Sequence, residues 1–287
     1  MDDTAAEQPR GEVVRTRTFD AEGPIEIDID VTVGRVQVHF GDGDTVVEVR
    51  DDPAAQPPWA EGAANLIGWV GEFLGGQFGA QVAGNPAAAA SAAEQTRIEK
   101  LGNRLVVRAP KVPMPKATAV AVKVHAPTGS QLDVRTRLAP VTVTGTAGRV
   151  DVGTATGDVS LERAESATSV RTGSGEVNVE ALRASATLAT GTGDVWIGKA
   201  DGAVMVRTSS GDLTVTDAGS GSVEAITGSG DIRVGIRSGV VAEVELSSGG
   251  GYVSSELDVA DTEPDKPVAL RVRARSGSGD ASLTRAG

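Results

Sequence analysis

The chain has 287 residues, a formal charge of −12 and a pI near 4.7, with 37 glycines, 3% aromatic residues and no cysteine. Such acidity opposes nucleic acid and anionic lipid as partners, and the missing cysteines exclude disulfides and thiolate metal sites. With so few large side chains the core must be thin and β-branched, which suits stacked repeats better than a globule.

In chain order, residues 1–14 carry Asp2, Asp3 and Glu7 and no apolar stretch. They read as a disordered lead and not as an export signal. No apolar run is long enough for a spanning helix, so the expected location is the cytoplasm. Residues 15–50 form an N-terminal β segment. Ile25, Ile27, Ile29, Val31 and Val33 alternate with polar residues, as in a half-buried strand. Gly34 and Arg35 predict a turn, Val36, Val38 and Phe40 resume the alternation, and Val46, Val47 and Val49 follow after a Gly-Asp turn.

Residues 51–98 break the pattern and read as a helical, low-complexity insertion rich in Gly and Ala. It holds four of the chain's eight Phe, Trp and Tyr residues: Trp59, Trp69, Phe73 and Phe78. Leu66, Val70, Phe73, Leu74 and Phe78 share one helical face, while Gly68, Gly71, Gly75 and Gly76 each weaken the helix by about 1 kcal/mol. Together with Trp59 and Trp69, that face is the candidate surface for a protein partner. The alternative is a cap over an open sheet end. Membrane contact through residues 59–82 is the weaker expectation, because no Lys or Arg lies between Asp51 and Thr96.

Residues 99–287 form the repeat array. Its turn returns as Thr-Gly-Asp-Val from Thr156, then from Thr172, Thr190, Thr208 and Thr227. The acids Asp158, Glu176, Asp194, Asp212 and Asp231 stand 18, 18, 18 and 19 residues apart. Positions one and three after each acid are apolar, and so are most of those six and eight before it. Each unit is therefore two short strands held in register by stacking. Residues 135–143 align with 171–179 with Pro140 in the acidic slot. Ser247–Tyr252 degrades the turn, and Ser276-Gly-Ser-Gly-Asp280 restores it.

These turns, with the segment Thr18–Val38 (TFDAEGPIEIDIDVTVGRVQV), resemble the bacterial β-strand-repeat "putative adhesin" or toast-rack family, a domain of unknown function. The resemblance spans Thr18–Leu283 apart from the insertion. It implies a right-handed parallel β-solenoid with ~18-residue rungs, no established enzymatic activity, and a link to envelope stress or the cell surface.

The acidic column is the sharpest chemical feature. Stacked carboxylates about 4.8 Å apart invite a bridging cation. However, the spacing departs from the nine-residue calcium-binding β-roll motif, and the plainer expectation is that each acid accepts N–H groups of its own turn. No cofactor is expected. The glycines match no phosphate-binding motif, and His39 and His125 lie near no nucleophile elbow. The resulting expectation is a non-catalytic scaffold or interaction module. A self-assembling structural protein and a polysaccharide-acting β-helix enzyme are the alternatives.

Overall fold

The period-2 alternation of the sequence becomes strand nearly everywhere it occurs, because each apolar residue then faces one shared core. The computed structural model describes residues 14–52, 91–111, 118–257 and 267–286. The candidate partner helix, with Trp59, Leu66, Trp69, Val70, Phe73, Leu74 and Phe78, lies outside them, as does nearly all of the lead.

The strands are β1 (Val14–Phe19), β2 (Glu26–Gly41), β3 (Thr45–Asp51), β4 (Arg97–Leu101), β5 (Arg104–Arg108), β6 (Val120–Pro127), β7 (Gln131–Leu138), β8 (Val141–Ala147), β9 (Val150–Thr156) and β10 (Val159–Ala164). They continue as β11 (Thr168–Ser174), β12 (Val177–Leu182), β13 (Ala186–Thr192), β14 (Val195–Ser210), β15 (Leu213–Ser229), β16 (Ile232–Ile236), β17 (Ala242–Ser248), β18 (Val253–Ser255), β19 (Leu270–Ser278) and β20 (Ala281–Arg285). One short helix, α1 (Ala92–Gln95), precedes β4, and Ser91 and Glu94 close a capping box on it.

Each coil places one strand in each of two parallel ladders. Val159 stands beside Val177, which stands beside Val195 and then Leu213. In the other ladder Val152, Val170, Leu188 and Val206 line up in the same way. The 18-residue period is thus the length of one turn of a parallel β-solenoid. Inward Val, Leu, Ile and Ala residues of both ladders form one continuous apolar core. Burying each larger one contributes roughly 1.5–3 kcal/mol.

Gly34 does not end a strand. It has φ +141°, and a Cβ there would lie 1.9 Å from the Val120 carbonyl oxygen. It therefore turns a corner inside the continuous β2, whose halves serve different ladders. The predicted turn is real as a bend but leaves the strand unbroken.

At both ends the stacking order departs from the chain order. β2 lies between the coil β5–β6 and the coil β7–β8, although both follow it in sequence. At the other end, β19–β20 pairs on one side with β15 and β16 and on the other with β17 and β18. The last coil in the sequence is therefore an interior coil, and the earlier β17–β18 is the outermost. The two ends are finished differently. Antiparallel strands β1, β3 and β4 close the first one. There Arg15 donates to the Thr96 carbonyl at 2.7 Å and Arg17 to that of Ile98 at 3.1 Å, so arginines of one ladder's edge strand satisfy the edge of the other. At the far end, β17 and β18 pair only with β19 and β20 among the described residues.

Candidate functional site

The acidic column exists, and its carboxylates are engaged along the stack. Asp158 Oδ1 accepts the Glu176 N–H at 2.9 Å, Asp194 the Asp212 N–H at 2.8 Å, and Asp212 the Asp231 N–H at 2.8 Å. Asp231 then accepts the Asp280 N–H, and Asp280 that of Tyr252, each at 2.8 Å. The acceptor therefore serves the turn of the next rung and not its own, contrary to the plainer expectation from sequence. An exposed bond of this kind contributes about 1 kcal/mol. Glu176 is the exception, since no carboxylate bond to the Asp194 N–H originates from its longer side chain. Tyr252 holds the acidic slot in the outermost coil, where no further N–H follows within the described residues. That accounts for the degraded turn at 247–252.

One turn inward runs a hydroxyl column. Thr172 Oγ1 donates to the carbonyls of Gly157 (3.2 Å) and Ser174 (3.0 Å), and Thr190, Thr208 and Thr227 repeat the arrangement. Ser276 and Ser248 continue it into the last two coils. These hydroxyls are buried or nearly so and bond to backbone, so they stitch rungs together and present nothing to a ligand.

On the opposite corner, Arg237 clamps two coils. It donates to Asp217 at 2.8 and 3.0 Å and to Asp201 at 2.9 and 3.3 Å, and these bonds hold its guanidinium pKa above the ordinary value. No periodicity in the sequence points to it, because its partners lie 36 and 20 residues upstream and are not repeated. A second missed cluster is the stack Asp28, Asp133 and Asp151 on three successive coils. Arg104 bonds Asp28 at 2.7 Å, while Asp133 is held above the usual carboxylate range, first by desolvation and then by its acidic neighbours against the pull of Arg135. Among the described residues no group of three or more His, Asp or Glu side chains is arranged to hold a metal.

His39 and His125 are register partners on adjacent strands, with ring centroids 5.2 Å apart and planes at 25°. His125 Nε2 donates to the Asp42 carbonyl at 3.0 Å, and His39 Nδ1 shares a 2.9 Å bond with Thr144 Oγ1. Neither contact adds the third member that a hydrolytic triad requires. No described helix is long and apolar enough to cross a membrane.

Two coiled ladders, inward hydroxyls and corner acids bonded from rung to rung define a non-globular β-repeat protein. The model of the Toastrack DUF4097 family matches residues 104–284, and the chain belongs to that family. Three solved structures are similar over most of both chains. One is a "putative adhesin" from Bacteroides fragilis (12% identity, 95% of this chain and 97% of that one, TM-score 0.47). Another from Parabacteroides distasonis carries the same description (13%, 95% and 98%, 0.32). A "putative lipid binding protein" from that organism is the third (11%, 93% and 96%, 0.37). No curated protein matches the chain.

Proposed function

We propose that the chain is a non-catalytic, adhesin-like display module that presents rigid sheet faces to a partner, in a bacterial surface or envelope-stress setting. The observation that supports this reading is the use made of the polar columns. The side chains with the strongest chemistry in the sequence, the acids and threonines of the turns, bond to the backbone of neighbouring rungs. What remains outward is the solvent-facing side of each of the two ladders. The test is co-sedimentation of the purified chain with isolated bacterial envelopes. Saturable binding is expected, and none at any concentration would sink the reading.

Among the described residues the outer edge of β17 and β18 is unpaired, which favours a second reading, end-to-end association through that edge. Sedimentation velocity over a wide concentration range tests it, and a constant monomeric coefficient would eliminate it.

A further inference from the structure

We propose that the outward face around Trp196 is a platform for a neutral glycan. One pyranose ring stacks on the indole, and its hydroxyl rim reaches Asn178 and Thr214. The proposal rests on the display-module reading and names the ligand class of one face.

Trp196 points away from the core, between the buried Val195 and Ile197, and is 39% exposed. The other exposed large apolar side chains, among the described residues, are Val14, Leu101, Tyr252, Val253 and Val268, which lie in or beside the terminal coils. Trp196 alone of these stands in the middle of the stack, where no edge needs covering. A Cβ on Gly198 would lie 3.0 Å from its Cη2. The tip of the indole therefore lies beside a residue without a side chain, and more than a third of Trp196 is open to solvent.

The surroundings select the ligand. Asn178 and Thr214 are the register partners of Trp196 on the two adjacent strands, so an amide and a hydroxyl flank the ring at about 4.8 Å on either side. Further out in the same row stand Ser160 and Thr142, again small and uncharged. The nearest charges are the corner acids, Asp194 two residues before Trp196 with Glu176 and Asp212 in the same position on the adjacent strands. Glu180 on the strand before comes next, and Lys199 and Arg233 stand further off. A carboxylate at the rim accepts hydroxyls and repels anions. A pyranose offers a C–H face that matches an aromatic ring and equatorial hydroxyls that match an amide and a hydroxyl beside it. A protein partner would need roughly 800 Å² with several apolar anchors, whereas this face offers a single one.

The experiment follows the indole N–H of Trp196 in ¹H–¹⁵N spectra, assigned by Trp196→Phe, during titration with cello-, xylo-, malto- and chito-hexaose, with oligogalacturonate as the anionic control. We expect a saturable shift with at least one neutral sugar and none with the control. Trp196→Ala should weaken binding by about tenfold or more, and Asn178→Ala or Thr214→Ala by severalfold. A Trp196 signal unmoved by every neutral sugar at about 10 mM overturns the proposal. So does a sugar response in other signals that survives in Trp196→Ala. If envelope co-sedimentation persists while no sugar moves the signal, this inference fails and the display-module reading stands.

Discussion

Asp at the corner acts as a connector between rungs, and its length is what matters. Asp158, Asp194, Asp212, Asp231 and Asp280 each reach one N–H on the next coil, and Glu176 does not. Glu176→Asp is therefore expected to stabilise by about 1 kcal/mol, read as a higher denaturant midpoint. Millimolar calcium or chelator should leave that midpoint unchanged, since one oxygen of each connecting Asp is already committed. Glycine positions separate as sharply. Gly193 has φ +140°, and a Cβ there would lie 2.2 Å from the Gly175 carbonyl oxygen. Gly193→Ala should cost about 3 kcal/mol or more. Nothing lies within 4 Å of a Cβ on Gly153, so Gly153→Ala should gain about 0.5–1 kcal/mol in the same assay. Asp133 supplies the pH dependence. Its carboxyl pKa is raised in the folded state, so ionisation is a penalty that exists above the folded pKa and disappears as pH falls through it. Asp133→Asn should stabilise the protein at neutral pH, and the gain should vanish in acid, as thermal melts across pH would show.

Among the elements, position in the stack outranks position in the sequence. Leu283, a few residues before the last of the sequence, is 1% exposed, while Val253, in an earlier strand, is 52% exposed. Leu283→Ala should cost about 2–5 kcal/mol. Val253→Ala should fall within about 0.5 kcal/mol, and urea titrations of the two variants give the comparison. The sequence made the period legible because every rung repeats the same inward apolar pair and the same glycine corner. Which rung touches which was hidden by the same property: β17 and β19 alternate alike, and either fits against β15. The one clue was Tyr252 in the acidic slot, the mark of a rung with no described rung above it to hold. The site was less legible. The acids and threonines drew notice because they repeat, and repetition here serves stacking. Trp196 belongs to no repeat of its own kind, and only the stacking shows that it stands mid-array between Asn178 and Thr214 with its tip beside Gly198.

For the molecule as a whole, stability is nearly one-dimensional, a sum over coils and their contacts. Amide exchange should accordingly be slowest in β11, β12, β13 and β14, which have coils on both sides, and fastest in β17 and β18. Exchange as fast in β12 as in β18 would contradict the stack as described. The closed end, with Arg15 and Arg17 bridging its two edge strands, should hold its protection better than the open one.

The interleaved ends also set a timetable. On a ribosome, β17 and β18 emerge before β19 and β20 exist, so the outermost coil is made while the place beneath it is empty. A chain that zipped up in order of synthesis would seat β17 directly on β15 and then have to give up that place. Completion of this end thus waits for β19 and β20, which are inserted between two earlier-made neighbours. Evolution meets the same restriction. Copying a coil lengthens the array only in the uninterrupted run from β7 to β16, because a copy added at either end would part strands that must stay together.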